Sequence, residues 1–208
     1  MTVGAKICGI MRLEDAKAAV HYGADAVGFV FWKGSARYIA PERAREIIAE
    51  LPPFISSVGV YVDPNATWVE ESASVARLSL LQFHGNEEPD FCRRFFLPYI
   101  KAVRVRAGLD LLQYATRYTG ARGLLMDTYV EGEPGGTGNA FDWDLIPREL
   151  PLPVILSGGL QVENVAEAIR RVQPSAVDVS SGVETAKGIK NPQKIAAFMR
   201  GVRAGEHL

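Results

Sequence analysis

The sequence lacks the features that mark secreted and membrane proteins. It contains two cysteines, Cys8 and Cys92, which are too few for a disulfide framework and suit a reducing compartment. Its longest apolar runs, such as residues 24–32, are far shorter than the ~18 residues of a bilayer-spanning helix. No basic and then apolar segment typical of a secretory signal stands near the first residues. We therefore expect a cytoplasmic protein with no membrane partner.

The chain also lacks an excess of positive or negative charge. The 208 residues carry 23 Lys and Arg against 24 Asp and Glu, a formal net charge of -1. This balance gives no general attraction to nucleic acid, so we expect no nucleic-acid partner and look for local sites for acidic ligands. The length suffices for one substantial core without disulfides or metals, which predicts a single domain over residues 1–208.

Short apolar runs alternate with amphipathic stretches along the whole chain, a pattern typical of βα units and a parallel sheet. The predicted strands are residues 5–10, 26–31, 57–62, 78–83, 100–105, 123–127, 154–157 and 176–180. The predicted helices are residues 13–22, 41–50, 66–75, 87–96, 110–118, a short one near Trp143, 162–172 and 191–202. Eight such units favour an α/β protein with the (β/α)8 TIM-barrel fold, although an open doubly wound sheet shows the same alternation.

Polar residues that close the apolar runs are the candidates for chemistry, because a (β/α)8 barrel builds its active site at the carboxyl ends of its strands. They are Lys6, Cys8, Arg37, His84, Asp127, Ser157, Asp178, Ser180 and Ser181. The Gly- and Pro-rich residues 131–138 follow the sixth strand and form a candidate lid.

Cys8 and Asp127 are the candidate acid–base pair. Lys6 and Cys8 share one face of their strand, so the Lys6 ammonium is placed to favour a thiolate that acts as a base. A carboxyl such as Asp127 acts as an acid when burial favours its protonated form. The alternatives are that Cys8 is a small buried hydrophobic residue and that Asp127 is a capped or paired carboxylate.

Two glycine-rich segments indicate a phosphate site. Gly158 and Gly159 follow the seventh strand, and Ser180, Ser181 and Gly182 follow the eighth. Many barrel enzymes bind phosphate at this position through backbone N–H groups. The alternative is that these glycines only permit tight turns.

Arg37 and His84 are candidate ligand contacts. An arginine such as Arg37 can hold a carboxylate in a bidentate fork, although a loop arginine is more often a solvated surface charge. His84 is placed to hydrogen-bond a ligand or to titrate, and a structural histidine is an equal alternative.

The chain resembles the phosphoribosylanthranilate isomerase family from end to end. The similarity is carried by KICGI, ADAVGFVF, SARYI, VGVYVDPN, LLQFHG, LLMDT, GGTGNAFDW, LSGGLQVENV and VDVSSGVE followed by KG. The family often has Lys-Ser-Pro-Arg-Tyr where this chain has Gly34-Ser35-Ala36-Arg37-Tyr38. Because proline fixes its own φ angle, the alanine leaves the backbone before Arg37 freer.

The resemblance implies a (β/α)8 barrel that catalyses an Amadori rearrangement of phosphoribosylanthranilate in tryptophan biosynthesis. It implies that Cys8 is the general base, that Asp127 is the general acid and that Arg37 holds the anthranilate carboxylate. His84 and Asp178 fall at positions that line the family's site. The resemblance implies a phosphorylated sugar as substrate, no cofactor, no metal, and a monomer or a homodimer.

The sequence leaves four other functions open. The histidine-pathway isomerase performs the same rearrangement with two aspartates, so a cysteine at the first position argues against it, and a two-substrate enzyme would be expected to have a second phosphate site. A thiol hydrolase or transferase would use Cys8 as a nucleophile activated by His84. A silent sugar-phosphate binder would tolerate loss of both Cys8 and Asp127.

Overall fold

Eight parallel strands form the centre of this computed structural model, which describes residues 2–128 and 142–206. They are β1 (Gly4–Ile7), β2 (Ala26–Val30), β3 (Ser56–Tyr61), β4 (Leu80–Phe83), β5 (Tyr99–Val105), β6 (Leu124–Thr128), β7 (Val154–Leu156) and β8 (Ala176–Val179). Each strand pairs with the next, and β1 pairs with β8 with Lys6 opposite Asp178. The sheet is therefore a closed barrel, which confirms the (β/α)8 prediction and rules out the open sheet.

Helices connect the strands on the outside of the barrel. In the described residues they are α1 (Leu13–His21), α2 (Pro41–Ala49), α3 (Ala66–Ala76), α4 (Pro89–Arg93), α5 (Leu111–Arg117), α6 (Val165–Val172) and α7 (Pro192–Glu206). Proline at the first turn of α2 and side-chain caps from Asn65 and Asp110 explain where three of them begin. The predicted helix near Trp143 is a short 3-10 helix, Trp143–Leu145.

Several predicted boundaries were wrong, and four of these errors bear on the site. Strand β1 ends at Ile7, so Cys8 begins the following loop, and β7 and β8 likewise end just before Ser157 and Ser180. Helix α4 is shorter than predicted because the Glu87 carboxylate accepts from the Gly85 N–H and from Lys101 instead of opening the helix. The predicted lid, residues 131–138, lies outside the described residues.

A short antiparallel hairpin follows β8 and was not predicted. Its strands are β9 (Glu184–Ala186) and β10 (Ile189–Lys190), joined through Gly188 at a φ of 80°. Strands of three and two residues are too short to show an alternating pattern, so local periodicity does not predict them.

The barrel separates an apolar outer core from a partly polar interior. Outward-facing strand residues pack against the helices in one large cluster that includes Ile7, Phe29 and Phe83. Lys6, Gln82 and Asp178 are buried on the other strand faces, between small apolar clusters around Cys8 and around Leu125. Polar groups in this interior need partners, and those partners build the site.

Candidate active site

One cavity lies at the carboxyl ends of the strands and brings most of the predicted residues together. Its lining includes Cys8, Arg37, His84, Asp127, Ser157, Gly158, Gly159, Asp178, Ser180 and Ser181, together with Gln82 and apolar side chains such as Val30, Trp32 and Val60. Lys6 and Gly182 do not line it. Among residues 2–128 and 142–206, no three His, Cys, Asp or Glu side chains form a group suited to a metal ion.

Cys8 lies at the cavity wall with its side chain largely buried. Burial raises the pKa of the thiol, and the nearby positive charge of Lys6 opposes that rise without overcoming it. An added Cβ at Gly28 would lie 2.8 Å from Cys8 Sγ and 3.0 Å from Lys6 Cε, so only glycine at this position leaves room for both side chains. In the free protein the thiol is therefore largely protonated at neutral pH, and Lys6 lowers the cost of ionising it.

Asp127 lies at the end of β6 with both carboxyl oxygens hydrogen-bonded. Oδ1 accepts from the backbone N–H of Thr128 at 2.9 Å, and Oδ2 lies 2.9 Å from Nε2 of His84. Gly158 has a φ of 75°, and an added Cβ would lie 2.9 Å from Asp127 Oδ1. Glycine at position 158 therefore lets the loop after β7 close tightly against this carboxyl group.

A row of hydrogen bonds connects Asp127 to the residues beneath Cys8. The Gln82 amide lies 2.9 Å from His84 Nδ1 at one end and accepts from Lys6 Nζ at 2.9 Å at the other. Lys6 also pairs with Asp178 Oδ1 at 2.9 Å. Burial alone would lower the pKa of Lys6, but the negative charge of Asp178 and the proximity of Cys8 raise it, so Lys6 remains an ammonium ion.

Gln82 was missed in the sequence analysis. It lies two residues before His84, so alternation along β4 places both side chains on the same strand face. The shared strand face of Gln82 and His84 could therefore be predicted from the sequence. Its contact with Lys6 was not, because 76 residues separate the two in the chain.

Arg37 reaches the cavity from the loop after β2 and is held by an ion pair. Its Nε and Nη2 donate to the two carboxylate oxygens of Glu184, each at 2.8 Å, and the Ser35 hydroxyl accepts from its backbone N–H at 3.1 Å. Glu184 also accepts from the buried Lys190 at 2.7 Å. These contacts restrain Arg37 although the proline common in the family is absent.

Glu184 and Lys190 were also missed as site residues, since they belong to the unpredicted hairpin. Burial alone would raise the pKa of Glu184, but the hydrogen bonds and charges of Arg37 and Lys190 outweigh burial and lower it. Glu184 is therefore a carboxylate at neutral pH. Its two hydrogen bonds with Arg37 orient the guanidinium.

The loops after β7 and β8 form the side of the cavity proposed for phosphate. Gly158 and Gly159 both have left-handed φ angles, 75° and 67°, which side chains other than glycine rarely adopt. An added Cβ at Gly182 would lie 2.1 Å from the Leu160 carbonyl oxygen, so the two loops meet closely there. Ser180 and Ser181 complete this wall of the cavity.

His84 is not paired with Cys8. One ring nitrogen of His84 contacts Gln82, and the other contacts Asp127. A nucleophilic thiol of the hydrolase type needs a histidine within hydrogen-bond reach. The arrangement argues against that alternative and assigns His84 to the carboxyl side of the cavity.

Comparison with known proteins identifies the family of the chain. A family model described as N-(5'phosphoribosyl)anthranilate (PRA) isomerase matches residues 5–201. The chain belongs to this isomerase family. It is 71% identical over 208 residues to N-(5'-phosphoribosyl)anthranilate isomerase of Nitrosospira multiformis, with 100% of both chains covered.

Solved structures of the isomerase family share the same fold. The phosphoribosyl anthranilate isomerase of Thermotoga maritima is 43% identical, with a TM-score of 0.90 over 97% of this chain and 99% of that one. Another structure of the isomerase, in complex with reduced 1-(o-carboxyphenylamino)-1-deoxyribulose 5-phosphate, is 41% identical, with a TM-score of 0.83 over the same shares of the two chains.

Proposed function

We propose that this chain catalyses the Amadori rearrangement of N-(5-phosphoribosyl)anthranilate to 1-(2-carboxyphenylamino)-1-deoxyribulose 5-phosphate in tryptophan biosynthesis, with Cys8 as general base and Asp127 as general acid. Membership in the isomerase family supports the reaction. The observation that supports the two roles is that a thiol and a carboxyl group line one cavity at the mouth of the barrel.

Substrate binding uses the two sides of the cavity that suit anions. The ligand in the related isomerase complex carries a carboxylate at one end and a phosphate at the other. Glu184 accepts hydrogen bonds from two N–H groups of Arg37. We assign the opposite edge of the guanidinium to the anthranilate carboxylate. The phosphate is assigned to Gly158, Gly159, Ser180, Ser181 and Gly182. Binding at both ends holds the reacting carbons between them.

Ring opening is the acid step. Asp127 gives a proton to the ring oxygen as the bond between C1 and that oxygen breaks, and the anthranilate nitrogen stabilises C1 as a cationic imine. The Asp127 carboxylate that remains is hydrogen-bonded by Thr128 and His84. Both contacts stabilise the developing negative charge.

Proton abstraction from C2 is the base step. The Cys8 thiolate removes this proton, and the electrons of the C–H bond move toward the imine, which becomes a neutral enolamine. Ketonisation then adds a proton to C1 and releases one from the C2 hydroxyl. A thiol at Cys8 and a carboxylate at Asp127 are the groups suited to give and to take these two protons, which restores the Cys8 thiolate and the protonated Asp127 with which the two steps began.

Asp178 acts on the base side through Lys6. The ion pair between them keeps Lys6 charged beneath Cys8, and the Ser157 hydroxyl lies 3.4 Å from the other Asp178 oxygen. The cationic imine adds a second positive charge near the thiolate. Both charges favour ionisation of a thiol whose pKa burial has raised.

The activity is tested by following the fluorescence decrease of phosphoribosylanthranilate with wild type, Cys8→Ser and Asp127→Asn. We expect turnover by the wild type and losses of roughly 10²–10⁴-fold in kcat for each variant. Cys92→Ser is the matched control, since this thiol lies in the outer core, and it should keep nearly full kcat. An inactive wild type would refute the reaction, and an active Asp127→Asn would refute only the acid assignment.

The small phosphorylated sugar is the partner that the family supports. In the described part of the chain, none of the helices combines the length and the apolar character needed to cross a bilayer. We retain the cytoplasmic location and the choice between monomer and homodimer as predictions. Size-exclusion chromatography with light scattering decides the latter.

A further inference from the structure

Gln82 has two neighbours that together determine how its amide group is oriented. Lys6 is an ammonium ion and can only donate hydrogen bonds, so the amide atom 2.9 Å from it must be the carbonyl oxygen Oε1. The amide nitrogen Nε2 therefore faces His84. Gln82 is almost fully buried, at 1% exposure, so no bulk water competes for either contact.

This orientation determines which nitrogen of His84 carries the proton. The Gln82 amide nitrogen donates, so His84 Nδ1 must accept with its lone pair, 2.9 Å away. The proton of a neutral imidazole then lies on Nε2, which donates to Asp127 Oδ2 at 2.9 Å. The opposite tautomer would require Gln82 to turn its NH2 group against the Lys6 ammonium.

We propose that Gln82 is a positioning residue for the acid step, since it holds His84 in the Nε2–H form and so prevents His84 from accepting the proton of Asp127. The proposal rests on the proposed function, in which Asp127 protonates the ring oxygen. A histidine with a lone pair on Nε2 would be an alternative proton acceptor at hydrogen-bond distance from the acid. With Nε2 already protonated, the substrate oxygen is the acceptor that remains in reach.

The Lys6 ion pair with Asp178 is part of the same arrangement. It keeps Lys6 charged and in place, and the charged Lys6 keeps Gln82 oriented. Asp127 on β6 is thereby connected to Lys6 on β1 through the side chains of Gln82 and His84. Gln82 acts only through His84, and no contact with substrate is assigned to it.

The tautomer is measured directly by nitrogen–proton correlation NMR on the protein labelled with 15N-histidine. The chain has three histidines, and His84→Asn identifies the His84 resonances by their loss. We expect Nδ1 of His84 to give the shift of an unprotonated nitrogen and Nε2 that of a protonated one. A protonated Nδ1 in the wild type would overturn the proposal, whatever the kinetics show.

Gln82→Glu reverses the contact with nearly the same shape. The new carboxylate still pairs with Lys6, but its second oxygen can only accept, so Nδ1 of His84 becomes protonated. We expect kcat to fall by roughly 10–100-fold with KM little changed, because general acid catalysis is weakened while binding is kept. Gln113→Glu makes the same chemical change on an exposed helix residue and should leave kcat unchanged.

Gln82→Met is a second variant that tests the proposal if the buried carboxylate of Gln82→Glu prevents folding. Methionine has a similar length and no strong hydrogen-bond donor or acceptor, so we expect a mixture of His84 tautomers and a smaller fall in kcat. Wild-type kcat within about twofold in both variants would refute the proposal. If the wild type itself fails to turn over phosphoribosylanthranilate, the proposed function fails while the spectra still decide the tautomer.

Discussion

The proposed acid side and the proposed carboxylate-binding side of the cavity hold their charged groups in different ways. Asp127 and His84 lie at the ends of strands, and buried neighbours on adjoining strands determine their direction. Arg37 lies in a loop and depends on an ion pair with Glu184, which comes from the hairpin after β8. Substitutions around the strand groups should therefore change kcat, whereas those around Arg37 should change KM.

Removing Lys6 is expected to have the largest effect. Lys6→Met leaves the buried Asp178 carboxylate without its cation, and unfolding free energy should fall by about 3–5 kcal/mol in guanidinium titrations. Adding Asp178→Asn removes the unpaired charge and should recover part of this loss. Lys17→Met, at an exposed pair with Glu50, should change stability by less than about 0.5 kcal/mol. Equal effects of the two lysine substitutions would contradict the role given to the interior pair.

The pH dependence of Cys8 alkylation tests the base side next. Burial raises the pKa of the thiol above 9.0, so the thiolate fraction should grow with pH throughout the neutral range. We expect the rate of reaction with iodoacetamide, followed by mass spectrometry, to rise nearly tenfold per pH unit between about pH 7 and 9. Burial raises the pKa of Cys92 to about 12, so that thiol should stay unmodified. A plateau below pH 8 would show that Lys6 outweighs burial.

Gly28→Ala should disturb the base without touching the carboxylate-binding side. Its Cβ would meet Cys8 Sγ at 2.8 Å and Lys6 Cε at 3.0 Å, and the overpacking should cost about 1–3 kcal/mol of stability. We expect kcat to fall as Cys8 is displaced, with KM less affected. Gly120→Ala is the control, because the nearest neighbours of its added Cβ are the flexible Arg93 side chain and the Tyr99 hydroxyl, at 3.3 Å and away from the cavity. An unchanged kcat in Gly28→Ala would mean that the thiol position is not critical.

Among the kinetic effects, that of Glu184→Gln should be the smallest and should fall on binding, although the variant also leaves the buried Lys190 without its carboxylate. The loss of charge weakens the restraint on Arg37, and KM should rise roughly tenfold, the equivalent of one charge-assisted hydrogen bond. Because the pKa of Glu184 is lowered in the folded state, its contribution to stability is present above the unfolded pKa and is lost as pH falls through the lowered value. Glu88→Gln, at the exposed pair with Arg117, is the kinetic control. A fall in kcat with constant KM would remove the distinction between the two sides.

Much of the fold was predictable because barrel strands and helices differ in their apolar periods. All eight predicted strands are present, with boundaries displaced by a few residues. The errors fall where local pattern is weak, such as the 3-10 helix at Trp143 and the hairpin that carries Glu184. Glu87 was predicted to begin a helix. Its carboxylate instead accepts hydrogen bonds from Lys101 and from the backbone N–H of Gly85 in its own loop.

Local pattern placed Cys8 and Asp127 at the ends of strands, and similarity to the family supplied their chemical roles. Closure of the barrel decided which groups surround them. Lys6 meets Asp178 across 172 residues of chain, and Arg37 meets Glu184 across 147. Such partners depend on the three-dimensional register of β1 against β8 and on the direction of each side chain, neither of which appears in local periodicity. The proposed acid–base pair could therefore be predicted from the sequence, whereas the charges and hydrogen bonds that surround it arise only when the barrel closes.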